Sequence, residues 1–331
     1  MPSRPDLSSV SRDPVTGQMA RALDRCAVGR GSPLVLGVSG GVDSTAMLLI
    51  ATVLKRRGEL GQVTCAHVHH HLRAEADAES EAVRELAESL EAEFIQLHVR
   101  VDARGNIAAQ ARQLRYAALA GEARRRGNAA VAVAHQAEDQ FETMLMAFCR
   151  GAGPLGMQGM RMRRELEPGV ELVRPLLENS RHELARVCTG AGVSWSSDPT
   201  NRCVDTARGA LRERVIPQLL AIWPGAIEAA LTSAEVFQCA AAALDGEIEA
   251  RLGSSGETWD RALLRRAGSG WAALAIKRRL GADVEAGLCR TIGLACCDSE
   301  ARPRRWSLSD GRCAVVDSKC LSIQPGPRQA S

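Results

Sequence analysis

The chain has 331 residues, 45% apolar and 24% charged, with a net charge of +3. That is ordinary for soluble globular protein and long enough for two domains. No uncharged apolar run approaches the roughly 18 residues of a membrane span, and Met1-Pro2-Ser3-Arg4-Pro5-Asp6 lacks the core of a signal peptide. Eleven cysteines, none spaced C-x-x-C, argue for reduced thiols rather than a disulfide framework. The expected location is the cytoplasm, with no membrane partner.

Residues 1–20 are expected to be disordered on composition, as are the last eight or so. The first strong signal is the apolar run Leu34-Val35-Leu36-Gly37-Val38, which reads as a strand. Ser39-Gly40-Gly41-Val42-Asp43-Ser44-Thr45 follows, and Ala46 to Lys55 continues without Gly or Pro. The order is strand, glycine turn, helix. Glycines let the backbone approach a ligand and take positive φ. The helix start offers N–H groups and the positive dipole end to an anion such as phosphate. Ser39, Ser44 and Thr45 add hydroxyls, and Asp43 adds a carboxylate suited to Mg²⁺. The turn has neither the lysine of a Walker A loop nor a G-x-G-x-x-G pattern.

Val63 to Val68 is predicted as a buried strand and Glu75 to Glu93 as a helix. Phe94 to Val99 is another strand, Asn106 to Arg126 a long helix, Ala129 to Ala134 a strand and Asp139 to Cys149 a helix. Strands alternating with helices imply α/β architecture with a doubly wound parallel sheet. Ligands then bind beyond the strand C-termini, where the glycine turn and two polar clusters fall. One cluster is His67-Val68-His69-His70-His71-Leu72-Arg73. No Cys or carboxylate lies nearby at metal-ligand spacing, so a polar loop facing the nucleotide is its expected role. The other runs from His135-Gln136-Ala137-Glu138-Asp139 to Glu142-Thr143. Asp139 and Glu142, three apart, share a helix face.

Val173 to Leu177 reads as a further strand and Arg181 to Ala191 as a helix capped by Asn179 or Ser180. Ala207 to Leu220 reads as a helix closed near Pro217, and Ile227 to Arg251 as a long helix. Trp306 to Ile323, with Ser309-Asp310-Gly311-Arg312 inside, reads as a hairpin. The expected domains are 21–220 and a mainly helical 221–331. Residues 1–150 carry 18 basic and 18 acidic side chains, whereas 246–331 carry 14 and 10, which makes the C-terminal third the candidate polyanion platform. Its clusters are Lys277-Arg278-Arg279 and Arg302-Arg304-Arg305; Arg161-Arg163-Arg164 forms another upstream.

The glycine turn resembles the PP-loop of the N-type ATP pyrophosphatases, the adenine nucleotide alpha hydrolase-like fold. Five blocks narrow this: Ser39–Ser44, His67–Arg73, Ala111-Arg112-Gln113-Leu114-Arg115-Tyr116, His135 through Met160, and Asp198-Pro199-Thr200-Asn201 with Arg208, Leu211-Arg212 and Pro217. Together they resemble the tRNA(Ile)-lysidine synthetases over roughly the first two thirds of the chain. The resemblance implies a ligase. ATP adenylates the C2 oxygen of the wobble cytidine in the CAU anticodon of tRNA(Ile), and free L-lysine then displaces AMP.

The resemblance further implies ATP on Ser39, Gly40, Gly41, Val42, Asp43 and Ser44, with Mg²⁺ on Asp43. It implies catalytic roles for Asp43, His135 and Asp139, with one of the acids or His135 as the base that deprotonates lysine. Lysine falls to Asp139, Glu142 and Arg112, and tRNA or phosphate to Arg115, Arg208 and Arg212. The chain departs from the family pattern at His69 (usually Asn), Gln136 (usually His), Glu138 (usually Asp) and Gly209 (usually Asn). Rival readings are a tRNA thiolase on the same fold, against which the missing C-x-x-C speaks; a small-molecule amidating ligase, for which no glutaminase-like segment is present; and a non-catalytic tRNA or nucleotide-binding module. A homodimer stays open.

Overall fold

A computed structural model describes residues 4–71, 76–102, 106–196, 206–253, 256–281, 284–299 and 302–326. Leu72-Arg73 and Asp198-Pro199-Thr200-Asn201 lie outside the described residues, as do 327–331 at the end. Contacts divide the chain into two compact units, 1–143 with 160–231 and 144–159 with 232–331.

The first unit corrects the expectation of a disordered start. Helices α1 (Leu7–Arg12) and α2 (Pro14–Arg25) form there. Asp6 and Asp13 accept N–H bonds at the two helix starts, and Pro14 sits in the first turn of α2. The Pro and Asp content that reads as disorder is therefore capping. Val10, Val15 and Met19 are fully buried in the main core, each such burial being worth about 1.5–3 kcal/mol.

Strand β1 (Leu34–Gly37) leads to α3 (Val42–Arg56), then β2 (Val63–His69), α4 (Ala76–Ser89), β3 (Glu93–His98), α5 (Ile107–Arg125), β4 (Ala130–Val133) and α6 (Ala137–Cys149). After α7 (Pro154–Met157) come β5 (Arg163–Glu167), β6 (Val170–Val173) and α8 (Arg181–Gly190). The sheet order is β3-β2-β1-β4-β6-β5, parallel except for β5. Successive strands step outward from β1 to one side as β2 and β3, then to the other as β4. The switch point thus lies between β1 and β4, where a crevice opens beyond the strand ends. Helix α3 is apolar all round and buried along most of its length, as a helix embedded under a sheet must be.

Two local predictions shift. The strand expected over 173–177 is the end of a β5–β6 hairpin, turning at Gly169 with φ of 77°. Strand β5 escaped notice because it is an edge strand, and its Arg163, Arg164 and Glu165 lack apolar alternation. The single helix expected over 207–220 is α9 (Ala207–Ala210), a π-helical stretch Leu211–Val215, and α10 (Ile216–Ile222). Pro217 sits in the first turn of α10 rather than closing a helix. Lacking an N–H, proline breaks the regular ladder, and the wider π turn absorbs the mismatch.

The second unit takes α7, most of α11 (Ala226–Leu252), and then β7 (Thr258–Asp260), α12 (Arg261–Ala267), α13 (Ser269–Leu280), α14 (Ala286–Cys297), β8 (Arg304–Ser307), β9 (Arg312–Val316) and β10 (Cys320–Pro325). The expected hairpin is part of a four-stranded antiparallel sheet ordered β7-β10-β9-β8. By length and composition α11 is long and apolar enough to cross a membrane. It also buries Ala234, Ala241 and Ile248, seven apart, as a packed helix does.

Much of this unit's basic charge is engaged internally. Lys277 donates to the Val284 carbonyl, Arg278 pairs with Asp245 and Arg279 donates to the Gly253 carbonyl. Arg304 pairs with Asp298. The buried Arg261 donates to the carbonyls of Ala295, Cys296 and Asp298, closing the end of α14.

Candidate active site

The turn after β1 is held by its own hydroxyls. Ser44 Oγ donates to the Gly41 carbonyl at 3.0 Å and accepts from the Ser39 N–H at 3.1 Å, and the Ser39 hydroxyl lies 3.2 Å from it. The Gly40 carbonyl accepts from the Ser196 N–H at 2.9 Å. No side chain caps Gly41 at the head of α3. The first-turn N–H groups are therefore left to an anion or to water.

Gly40 holds φ of 87°, and a Cβ there would meet Val83 Cγ2 at 3.2 Å. Gly40→Ala is expected to cost about 1–3 kcal/mol from backbone strain, read as a lower urea midpoint. An unchanged midpoint would show that the turn tolerates a side chain.

Asp43 stands in the first turn of α3 with Oδ1 buried and without a hydrogen-bond partner. Burial pushes its carboxyl up to about 6, and Asp139 and Glu138 push the same way against Arg181 and Arg212. A buried, orphaned acceptor among other carboxylates is the environment that a divalent cation satisfies.

Across the switch point, His135 follows β4. Arg174 Nε donates to His135 Nδ1 at 3.1 Å. A neutral imidazole accepting at Nδ1 carries its proton on Nε2. Burial, then the charges of Arg174, Arg112, Arg115 and Arg208, hold His135 well below the usual imidazole range. It is therefore an N–H donor at neutral pH and a poor base, which weakens its candidacy as the lysine base.

Helix α6 carries the acids. Gln136 caps its start, its Oε1 accepting from the Glu138 N–H at 2.6 Å. Glu138 accepts from the Arg181 N–H at the head of α8 at 3.0 Å. Asp139 Oδ2 accepts from the Gln136 N–H at 3.2 Å, and its Oδ1 lies 3.3 Å from Arg212 Nη2. Glu142 is completely buried: Arg212 Nε lies 2.7 Å from one oxygen and Arg208 Nε 3.0 Å from the other. Arg208 also donates to Thr143 Oγ1 at 3.0 Å. Gly209 donates its N–H to Thr206 Oγ1 at 3.0 Å, the cap of α9, so glycine there is locally accommodated.

The structure thus brings Asp139, Glu142, Arg208 and Arg212 into one network and sets Asp43 beside it. Arg112 and Arg115 are placed elsewhere. With Arg164 their guanidinium carbons lie 5.0, 5.5 and 5.6 Å from the Tyr116 ring centre. The charges of Arg112 and Arg115, with those of Arg174 and Arg208, act on His135. Val42 has a buried side chain and an N–H in the uncapped first turn of α3, and Ser39 is exposed at the turn. His67 Nδ1 donates to the Val38 carbonyl over 2.9 Å, bracing the end of β1.

Arg174 was not foreseen. It is only 4% exposed, and besides His135 it reaches the Arg161 carbonyl at 2.6 Å. Its sequence signal is a lone arginine between apolar Val173 and Pro175, where a strand meets a turn.

Residues 16–219 match the model of a PP-loop domain family. The chain is 38% identical over 208 residues to the tRNA(Ile)-lysidine synthase of Pseudomonas syringae pv. tomato, covering 62% of this chain and 46% of that protein. It is 41% identical over 206 residues to the tRNA(Ile)-lysidine synthase of Methylobacterium nodulans, covering 62% and 59%. The chain spans about half the length of the curated relatives it matches. Among solved structures, U34-tRNA thiolase NcsA from Methanococcus maripaludis superposes with a TM-score of 0.57 at 15% identity, over 68% of this chain and 78% of that one, a likeness of fold.

Proposed function

The chain belongs to the PP-loop domain family, and from that premise we propose that it is a tRNA(Ile)-lysidine synthase acting in the cytoplasm. The observation that carries the reading is Asp43: its Oδ1 is buried without a hydrogen-bond partner at the start of α3, in the field of Asp139 and Arg212. The curated relatives' names supply the substrate class.

In this reading the C2 oxygen of a splayed wobble cytidine attacks the α-phosphorus of ATP. An O–P bond forms and pyrophosphate leaves. The first-turn N–H groups of α3, in the turn that Ser39 and Ser44 hold, receive the departing charge. Asp43 is the residue that would hold Mg²⁺, which supplies neutralisation of phosphate charge when bound. His135 Nε2–H, among Arg112, Arg115 and Arg174, is placed to donate to a substrate oxygen or phosphate. The lysine ε-amine then attacks C2, forming a C–N bond, and AMP leaves with the oxygen.

Lysine is a cation at neutral pH and must lose a proton first. Asp139 is the acid for that work because its side chain keeps 16% exposure, whereas Glu142 is wholly buried beside Arg208 and Arg212. Glu142 is therefore a positioning residue here. Arg208 and Arg212 serve this network before any tRNA phosphate.

The test is incubation with ATP, Mg²⁺, radiolabelled lysine and tRNA(Ile) bearing a CAU anticodon. Lysine incorporation into tRNA is expected, and Asp139→Asn is expected to raise lysine KM while adenylation persists. No incorporation, beside an active control enzyme, would overturn the reading.

A further inference from the structure

The histidines at the ends of β2 and β3 are left over by the reaction described above. In sequence they lack a neighbouring ligand, but the fold supplies one. Strands β2 and β3 pair in parallel with His69 opposite His98. One ring nitrogen from each of His69, His71 and His98 lies within 4.8 Å of the others. His71 Nε2 and His98 Nδ1 are 2.9 Å apart. Helix α4 brings Asp77, whose Oδ1 lies 3.1 Å from His69 Nε2. His69 is only 3% exposed, yet neither of its ring nitrogens makes a hydrogen bond. His71 holds a φ of 54°, uncommon for a residue with a side chain.

We propose that His69, His71 and His98, with Asp77 beside them, form a binding site for a divalent transition-metal ion of the zinc class. Nitrogen ligands of a tetrahedral ion sit about 2.0–2.1 Å from it, so any two are separated by about 3.3 Å. The 2.9 Å between His71 and His98 needs only a small spread to reach that separation. Imidazoles without thiolate suit Zn²⁺, Ni²⁺ or Cu²⁺ rather than Mg²⁺. A ligating histidine characteristically gives its second nitrogen to a carboxylate, and Asp77 stands at that position beside His69. A buried imidazole with an idle nitrogen is costly without a partner, and a metal supplies one.

The site differs from Asp43 in place and chemistry. It stands on β2 and β3, on the other side of β1 from β4. Metal binding there would clamp β2, β3 and the head of α4 together.

The experiment titrates Co²⁺ into the chelator-treated full chain, following absorption and thermal unfolding. We expect one tight equivalent with d–d bands of nitrogen–oxygen ligation, no thiolate charge transfer, and a raised Tm. His71→Ala with His98→Ala, both at exposed positions, should weaken binding by more than about 100-fold, and Asp77→Asn by about 10-fold. Circular dichroism checks that the variants stay folded. Absence of binding, a thiolate band pointing to the cysteines, or unchanged affinity in the double variant would each overturn the proposal.

Discussion

Asp43→Asn is expected to cut pyrophosphate release by about 1,000-fold, the scale of losing a charged group that faces departing phosphate, and to stabilise the protein at neutral pH. The second effect follows from the first residue's setting. Asp43 lies in the fold with its carboxyl pushed up to about 6 from 3.8. Ionising it in the fold therefore costs about 3 kcal/mol more than ionising it in the unfolded chain. The unfolded chain loses the proton first as pH rises, so the native state is penalised progressively between pH 3.8 and about 6 and fully above that. Asn carries no such penalty.

Urea unfolding at pH 8 should show the variant more stable by up to about 3 kcal/mol, and the gap should close near pH 4. Raising Mg²⁺ should stabilise the natural protein and leave the variant unmoved. Surviving turnover would remove Asp43 from the phosphate site. Equal stability at pH 8 would show that the carboxylate is already satisfied.

The parallel sheet and the phosphate turn were readable because their signals are local: apolar runs of strand length, glycines between strand and helix, and a hydroxyl at Ser44 that folds back onto its own turn. Features that depend on distant partners were not. Asp13-Pro14 looks like a disordered tail until Val15 and Met19 are seen filling the main core. Edge strand β5 hides because one charged face looks like any solvated surface. Asp139 and Glu142 were correctly placed on one helix face. Nothing in their spacing, however, says that Arg208 and Arg212, some seventy residues on, neutralise them. Arg174 gives its role away only through His135, 39 residues earlier. The Lys277–Arg279 cluster reads as a polyanion platform, yet its three cations are each bonded within their own unit.

Glu142 offers the second large effect, and two substitutions separate its geometry from its charge. Its carboxyl is pushed above the usual range because total burial outweighs the Arg212 bond, whereas Arg212 gains from the pair and is pushed up. The carboxylate's own balance is thus unfavourable, and what it provides is the placement of two guanidiniums. Glu142→Gln keeps volume but replaces one acceptor oxygen with an NH2 donor facing an arginine, and should cost about 1–2 kcal/mol. Glu142→Ala leaves a void and two arginines facing each other across it, and should cost about 3 kcal/mol.

Both changes should lower kcat by about 100-fold, since a group displaced by an ångström loses that much. Lysine KM should move far less than in Asp139→Asn. If Glu142→Gln instead raises lysine KM as much as Asp139→Asn does, Glu142 touches the amino acid directly, and the arginines must leave it when lysine binds.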